Sequence, residues 1–297
     1  MKLSIVIPTR GDQNMKNIAE CLQRQTFKDF EVLFVVDRKI TNYELRIANY
    51  EFLKQRNVRC ITNMTHDITY NNASALRNIG IKEAKGQFIQ LMDDDEWFED
   101  DYLEKSLMLW DEYHVTFKKD FVLTPTLMYR KTGVIQNQGF SHFSYLLSRP
   151  IPQRVGNKKR DYIQMYSGNS LLAPAHIFKK ILFDEQLDFV YEDLDFSYRI
   201  HLAGYPIVVL RDLKIYHMER DKTKLEQAWV GNEYSAYRKA KHRMLFVKKY
   251  GTPPQKIQFY LLGFRGQPLR LMLKVFFYAK GKEKGKLIKA IWRGTFV

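Results

Sequence analysis

The sequence predicts an α/β fold in which helices cover both faces of a central, mainly parallel β-sheet, with a basic helical extension at the C-terminal end. Three observations predict it. Apolar runs rich in Val, Ile and Phe alternate with amphipathic helical stretches over the first third of the chain. Acidic residues directly follow two of those runs, and the net charge of +15 is concentrated near the C-terminus. Such alternation is typical of a parallel sheet buried on both faces.

The first strand, helix and second strand follow each other directly. The runs "LSIVI" and "EVLFVV" suit strands that are covered on both faces. Between them, "NMKNIAECLQRQ" places apolar residues at helical spacing, with Asn14 available as the N-cap. This order predicts one strand–helix–strand unit.

Two further helix–strand pairs are predicted downstream. A helical stretch at 42–56 leads to "VRCIT", and another at 72–84 leads through Gly86 to "QFIQLM". Ligands of open parallel sheets bind beyond the carboxyl ends of the strands. Asp37 and the acidic triplet at 93–95 both lie at such ends, so we expect the functional site there.

The middle of the chain alternates less regularly. "DYLEKSLMLW" predicts an amphipathic helix and "FVLTPTLMY" a strand, whereas the polar region 131–163 is predicted to be a long loop or hairpin. Later segments predict a helix in "APAHIFKKI", a helix in "YEDLDFSYRIHLAG" and a strand in "IVVLRDLKIYH".

Composition limits the class of protein. With 297 residues and 45% hydrophobic content, the chain is long enough to bury a full core. Its two cysteines, Cys21 and Cys60, form no CxxC pair, which indicates neither a disulfide framework nor a zinc site and favours the cytosol. Pro8 interrupts an apolar stretch that is shorter than the roughly 7 to 15 residues of a signal peptide, so we expect no secretion.

The charge is divided unevenly along the chain. Residues 238–297 contain sixteen Lys or Arg and one acid, Glu283, whereas residues 1–237 contain 32 basic and 32 acidic residues. We therefore predict a main domain at 1–237 and a basic amphipathic helical extension at 238–297.

The extension contains a basic amphipathic segment, "PLRLMLKVFFYAKGKEKGK". Leu269, Met272, Phe276 and Ala279 are predicted to share one face of its helix. Basic residues interrupt it well short of the roughly 20 apolar residues that a membrane span requires. It is typical of an interfacial anchor on anionic lipid, and the alternative is a solvated helical hairpin packed on the main domain.

The triplet in "LMDDDEWF" raises a chemical question, because adjacent carboxylates repel each other. A divalent cation with a preference for oxygen ligands, Mg²⁺ or Mn²⁺, would stabilise them. The alternative is an acidic N-terminal cap for the helix that follows.

Five segments resemble family 2 glycosyltransferases of the GT-A fold, and in particular rhamnosyltransferase-like inverting enzymes of surface polysaccharide synthesis. They cover roughly residues 3–218 and occur in the family's order. They are "SIVIPTRGD", "QTFKDFEVLFVVD", "LRNIGIKEAKGQFIQLMDDDEWF", "FDEQLDFVYEDLDFSYRIHLAGY" and "IYH".

The resemblance implies a nucleotide-sugar pocket at the first strands. Pro8, Thr9 and Arg10 would line it, and Asp37 would accept a hydrogen bond from the base; a plain turn-forming role for Asp37 is the alternative. Arg77 lies on a helix whose predicted packed face excludes it. From its position alone, Arg77 would be a surface charge. The resemblance implies instead that its side chain approaches the uracil, thymine or diphosphate.

The triplet then resembles the DxD motif of the family. Asp93 and Asp94 would contact the nucleotide sugar, while Asp95 and Asp93 would hold Mn²⁺ or Mg²⁺ together with His217. A structural role for His217 is an equal alternative.

The resemblance also implies a general base and an acceptor segment. Asp193 would be the base, supported by Glu192, although acids also favour a helix N-terminus. Gly168, Asn169 and Ser170 would contact the acceptor, although this tripeptide is common in turns.

The sequence therefore predicts an inverting, metal-dependent glycosyltransferase that takes a UDP-, dTDP- or GDP-linked sugar to a glycan or lipid-linked acceptor. We expect it on the inner face of the cell membrane and without a nucleic-acid partner. One alternative is a nucleic-acid-binding protein, which would suit the basic charge but leaves the acids unexplained. Another is a sugar nucleotidyltransferase, which would need more glycines after the first strand than Gly11 alone.

Overall fold

The computed structural model describes residues 1–9, 13–37, 55, 57–63, 72–153, 156, 158–168, 170–188, 190–218, 224–227, 230–263 and 266–296. The strands are β1 (Leu3–Thr9), β2 (Phe30–Asp37), β3 (Val58–Asn63), β4 (Phe88–Leu91), β5 (Glu96–Trp97), β6 (Val122–Tyr129), β7 (Ile135–Asn137), β8 (Phe140–Ser144), β9 (Arg149–Pro152), β10 (Arg160–Ile163), β11 (Leu172–Pro174) and β12 (Ile207–His217). The helices are α1 (Gln13–Arg24), α2 (Ala73–Glu83), α3 (Tyr102–Phe117), α4 (Ala175–Lys180), α5 (Glu192–Leu202), α6 (Lys224–Gln227), α7 (Glu233–Tyr250), α8 (Pro253–Leu261), α9 (Gln267–Tyr278) and α10 (Gly281–Thr295).

A ten-stranded sheet forms the centre of the fold, in the order β10-β12-β6-β11-β4-β1-β2-β3, with β5 on β12 and β7 on β6. Strands β3, β2, β1, β4, β6 and β12 run in one direction. The short strand β11 runs against both β4 and β6. The predicted α/β class with a mainly parallel sheet is confirmed.

Helices cover both faces of the sheet because side chains on each strand alternate between them. In β1, Ile5 joins a cluster that includes α1 and α3, whereas Val6 joins one that includes α2, α4 and α5. Helix α2 packs closely on β1, since a Cβ atom on Gly80 would lie 2.3 Å from Val6 Cγ1. This packing fixes the helix that carries Arg77.

Two regions bear on the sequence prediction. The helix predicted at 42–56 lies almost wholly outside the described residues. The region 131–163, predicted to be a loop or hairpin, contains the two-stranded β8–β9 sheet and also contributes β7 and β10 to the main sheet. These strands have three to five residues, too few for a recognisable alternation.

The chain forms two compact units. The sheet unit contains Met1–Gly139, Pro152–Asp188 and Glu192–Glu219, and the helical unit contains Phe140–Ile151, Phe189–Tyr191 and Arg220–Val297. The predicted boundary after residue 237 stays a prediction, but α7 extends across that position. The helical unit also includes two earlier pieces of chain that charge distribution could not reveal.

The helical unit has its own core, in which Leu271, Val275 and Ala279 pack with Leu287 and Ile291. Of the face predicted for the helix at 269–279, Ala279 is buried in this core and Met272 packs against it. Phe276 is 58% exposed, and the buried face is rotated toward Leu271 and Val275. The segment is apolar on more than one side, so spacing alone did not identify the side that packs. Within the described residues, no helix combines the length and apolar content that crossing a bilayer requires.

Candidate active site

Three parallel strands end at the same edge of the sheet. Strand β1 ends at Thr9, β4 at Leu91 and β12 at His217. Strands β1 and β4 are direct neighbours, with Val6 opposite Leu91. The residues that follow β4 therefore lie beside the end of β1, where open sheets of this type bind ligands.

The acidic triplet forms the turn between β4 and β5. The short strand β5 pairs antiparallel with the end of β12, placing Glu96 opposite His217 and Trp97 opposite Tyr216. The Met218 amide donates to the Asp95 carbonyl over 2.7 Å. This pairing holds the turn against the carboxyl end of β12.

Each carboxylate of the triplet contacts a different group. Asp93 Oδ1 accepts a hydrogen bond from Arg77 Nη2 at 2.7 Å. Asp94 Oδ2 accepts one from Thr9 Oγ1 at 2.6 Å. Asp95 Oδ2 lies 2.9 Å from His217 Nε2.

Arg77 is buried rather than directed to the surface. It is 3% exposed, and its Nη1 atom lies 3.8 Å from Glu192 Oε1. The sequence placed Arg77 off the packed face because the apolar residues of α2 point elsewhere. Segment 183–187 covers that other side of α2, as the hydrogen bonds from Ser74 and Asn78 to its carbonyls show. Arg77 thus links the triplet to the start of α5.

A fourth acid, Glu96, lies beneath the triplet and was not predicted. It is 2% exposed, and its carboxylate accepts hydrogen bonds from the Asp93 amide and the Ser170 hydroxyl. Burial, together with the charges of Asp93 and Asp95, raises the pKa of Glu96 well above its usual value. The only sequence signal was its position directly after three acids.

The contact of Ser170 with the acceptor stays a prediction. Ser170 is 1% exposed and its hydroxyl donates to Glu96. Ser170 therefore stabilises the acidic turn through its hydrogen bond to Glu96. Gly168 has φ of 132°, and a Cβ atom there would lie 3.2 Å from the Tyr166 ring, so glycine suits this turn sterically.

Two acids begin α5, immediately after a strained stretch of backbone. Val190 and Tyr191 have φ of 58° and 75°. Such values are unfavourable for residues with bulky side chains and cost about 1 to 3 kcal/mol each. Within the helical unit, His242 Nδ1 lies 3.1 Å from the Val190 carbonyl oxygen and helps to hold this conformation.

Asp193 contacts the segment that contains Gly168. Its Oδ2 atom accepts a hydrogen bond from the Gly168 amide at 2.9 Å, and its Oδ1 atom accepts one from the Leu194 amide at 2.7 Å. Burial raises the pKa of Asp193, and these backbone hydrogen bonds oppose the rise because they stabilise the charged form.

Glu192 has fewer compensating contacts. Its Oε2 atom has no hydrogen-bond partner among the described residues. Burial and the neighbouring charge of Asp193 raise the pKa of Glu192 to about 8, against the opposing effect of Arg77.

Several predicted site residues are described only in part. Pro8 belongs to β1, paired with Val35 in register, and Asp37 is the last residue of β2, opposite Asn63; the description of Asp37 is limited to its backbone. Arg10 and Asn169 lie outside the described residues.

The donor set at the triplet suits a divalent cation that takes few protein ligands. The described part of the chain contains no group of three or more His, Cys, Asp or Glu residues able to hold an ion alone. Asp95 and His217 do approach each other as two ligands of one ion would. Asp93 Oδ1 is paired with Arg77, and a role for Asp93 as a further ligand stays a prediction. Mg²⁺ often binds with one or two carboxylates and completes its shell with water and phosphate oxygens.

The family model described as "Glycosyl transferase family 2" matches residues 4–169, more than half of the chain. The chain belongs to glycosyl transferase family 2. The matched stretch contains β1, β2, β4 and the acidic triplet, so the resemblance stated from the sequence motifs is confirmed.

Two curated relatives are glycosyltransferases, according to their names. The poly(ribitol-phosphate) beta-glucosyltransferase of Bacillus spizizenii is 28% identical over 78% of this chain, which spans 35% of that relative's length. The amylovoran biosynthesis glycosyltransferase AmsB of Erwinia amylovora is 25% identical over 73% of this chain and 70% of its own.

A solved structure shares the fold. Staphylococcus aureus TarS 1–349, in complex with UDP-GlcNAc, matches with a TM-score of 0.58 and 17% identity, covering 98% of this chain and 91% of that one. This likeness confirms the predicted GT-A architecture.

Proposed function

We propose that the protein is an inverting glycosyltransferase that transfers a hexosyl or deoxyhexosyl group from a nucleotide sugar to a glycan or lipid-linked acceptor in the synthesis of a cell-surface polysaccharide or glycolipid. The observation that carries the proposal is the arrangement around Arg77, whose guanidinium lies between Asp93 of the triplet and Glu192 of α5. The buried Arg77 guanidinium thus contacts both Asp93, which we assign to the donor side, and Glu192, which neighbours the proposed base. Family membership and the names of the relatives support the sugar polymer.

The donor would bind beyond the ends of β1 and β2. Pro8 and Thr9 end β1 with Arg10 next in the sequence, and Asp37 ends β2, which suits a nucleotide base and ribose. Arg77 Nε and Nη1 are buried without a hydrogen-bond partner among the described residues, and buried donors of this kind favour an anionic ligand. UDP sugars are the first candidates, since TarS is solved with UDP-GlcNAc, and dTDP and GDP sugars are the next.

Asp95 and His217 would hold Mg²⁺ or Mn²⁺. An ion bound there would offset the negative charge that develops on the departing nucleoside diphosphate. In this proposal Asp93 and Asp94 contact the donor sugar nucleotide, oriented by Arg77 and Thr9 through the hydrogen bonds described above.

Asp193 would act as the general base. A base must be ionised at working pH, and the amide hydrogen bonds to Asp193 favour its charged form, whereas burial and the charge of Asp193 raise the pKa of Glu192. Asp193 takes the proton of the acceptor hydroxyl as that oxygen bonds to the anomeric carbon and the bond to the diphosphate breaks. Displacement in one step inverts the anomeric centre. Gly168 and Asn169 would lie on the acceptor side, because the Gly168 amide contacts Asp193.

We place the reaction on the inner face of the cell membrane as a peripheral activity. The charge of residues 238–297, sixteen basic residues against one acid, supports contact with anionic lipid. A lipid-linked acceptor would be presented at the same surface.

The first experiment identifies the donor. A thermal-shift screen of UDP, GDP and dTDP sugars, each with and without Mn²⁺, should give a rise in melting temperature for one nucleotide class. Calorimetry with that donor then compares Asp95→Asn with Asp193→Asn. We expect both variants to lose transfer by about 100-fold or more, with only Asp95→Asn losing the metal-dependent part of donor binding.

Asp111→Asn is the matched control, because Asp111 is an exposed acid on α3 and should change neither quantity. Near-normal turnover in Asp193→Asn would show that another group is the base. Failure of every nucleotide sugar to bind, with or without metal, would remove the proposed reaction.

A further inference from the structure

Helix α9 exposes a stripe of large apolar side chains to solvent. Leu273 is 49% exposed, Phe276 58% and Phe277 75%. Their spacing of three and four residues puts them on one side of the helix. We call these three residues the α9 stripe. Contiguous exposed apolar groups of this size indicate an interaction surface.

The α9 stripe is distinct from the face that stabilises the helical unit. The opposite side of α9 carries Leu271 and Val275, which are 3% and 0% exposed and pack in the core with Ile291 of α10. Helix α9 thus has two apolar sides: one packs in the core of the helical unit, and the other is exposed. The stripe is therefore available to a partner.

Basic side chains flank the stripe. Arg270, Lys274 and Lys280 are exposed on or next to α9. Lys284 Nζ lies 4.3 Å from the centre of the Phe276 ring. Aromatic rings beside lysines are typical of helices that lie in a membrane interface, where the rings enter the acyl boundary and the ammonium groups remain at the headgroups.

Two neighbouring helices in the chain have the same pattern. In α8, Ile257 and Leu261 are 60% and 70% exposed, and Trp292 of α10 and Phe296 directly after it are 52% and 55% exposed. These helices belong to the basic part of the chain, which has a net charge of +15 over residues 238–297. Exposed apolar groups and positive charge therefore occur together in the helical unit.

We propose that the α9 stripe, with the basic residues around it, docks the protein onto an anionic lipid bilayer. A second copy of this chain is a poorer occupant, because joining two stripes would bring two strongly basic segments together. Anionic headgroups have the complementary charge. The proposal does not rest on the transfer reaction, since the surface can be tested on vesicles without donor or acceptor.

The experiment is co-sedimentation of the full chain with vesicles at about 0.15 M salt. One set contains phosphatidylglycerol and phosphatidylcholine in equal parts, and the other contains phosphatidylcholine alone. We expect binding to the anionic set only. The double variant Phe276→Ser and Phe277→Ser should bind at least about tenfold more weakly than the wild type. Lys274→Glu should weaken binding by at least about fivefold.

Val115→Ser is the matched control. Val115 is 76% exposed on α3 of the sheet unit, so its replacement removes an equally exposed apolar group elsewhere and should leave vesicle binding unchanged. Since Phe276 and Phe277 lie outside the core, circular dichroism should show that the double variant remains folded.

Three results would overturn the proposal. They are equal binding to both vesicle sets, unchanged vesicle binding by the folded double variant, and light scattering that shows a dimer which the same double variant dissociates. Loss of donor binding in other variants would not affect it, so the lipid surface and the reaction can fail separately.

Discussion

At the level of single residues, the acidic turn at 93–95 shows how a folded chain accommodates adjacent negative charges. Arg77, Thr9 and His217 each contact a different carboxylate. The remaining repulsion affects Glu96 below them, whose pKa is raised by burial and by the charges above. Each of the three carboxylates in the turn therefore has its own contact within the protein.

Glu192 gives a prediction on pH. Its pKa of about 8 in the folded protein exceeds the usual 4.5, so the folded state binds this proton more tightly than the unfolded state does. The contribution to stability is complete below about pH 4.5 and is lost as pH rises through about 8. Glu192→Gln should therefore reduce the fall in unfolding free energy between these pH values, by up to about 5 kcal/mol.

Urea unfolding at several pH values measures this effect. Glu99→Gln is the control, because Glu99 is exposed and should leave the pH dependence of the wild type intact. A Glu192→Gln profile parallel to that of the wild type would show that Glu192 is ionised in the folded protein throughout.

The sequence predicted those residues of the candidate site whose positions can be inferred from their neighbours in the chain. Asp93 to Asp95 follow an apolar run, and Glu192 and Asp193 begin an amphipathic stretch, so their positions could be inferred. The burial of Arg77 and the hydrogen bond from Ser170 to Glu96 could not. The latter joins residues 74 positions apart, and no local pattern specifies such a contact.

At the level of elements, the contact between α2 and the sheet depends on a missing side chain. A Cβ atom on Gly80 would lie 2.3 Å from Val6 Cγ1 and 3.1 Å from Val35 Cγ2. We expect Gly80→Ala to destabilise the protein by about 1 to 3 kcal/mol, because overpacking outweighs the better helix propensity of alanine. Denaturant unfolding would measure the change.

Gly285 in α10 is the matched helical control. Apart from the backbone of its own helix, no atom of the described residues lies within 4 Å of a Cβ atom built there, so Gly285→Ala should stabilise the protein by up to about 1 kcal/mol. If both substitutions have the same sign, close packing on β1 is not what requires glycine at position 80.

The predicted elements were most accurate where apolar runs were long and clearly bounded. Strands β1, β2, β6 and β12 correspond to runs that the sequence identifies. Strand β11 has only three residues, and its antiparallel pairing with β4 depends on the path of the chain rather than on local pattern. The buried side of α9 is not evident from the sequence for a different reason, since Leu271 points to one side of that helix and Leu269 and Leu273 point to the other.

At the level of the whole molecule, the two units have separate apolar cores. Ile291 is fully buried in the core of the helical unit, so Ile291→Ala should cost about 2 to 5 kcal/mol there. We expect faster hydrogen exchange in α7, α9 and α10 and unchanged exchange in β1 and β2. Exposed Trp292 is the control, and equal acceleration in both units would show that they unfold as one.

The helical unit is built from three separate pieces of chain, and this has a consequence for synthesis. Residues 140–151 and 189–191 leave the ribosome well before the helices of their unit. Phe143 and Tyr191, which pack on Phe246 of α7, must wait uncovered until that helix has emerged. During this interval the nascent protein exposes apolar aromatic side chains that can aggregate with other chains. Its yield in the cell should therefore depend on chaperones that bind such groups.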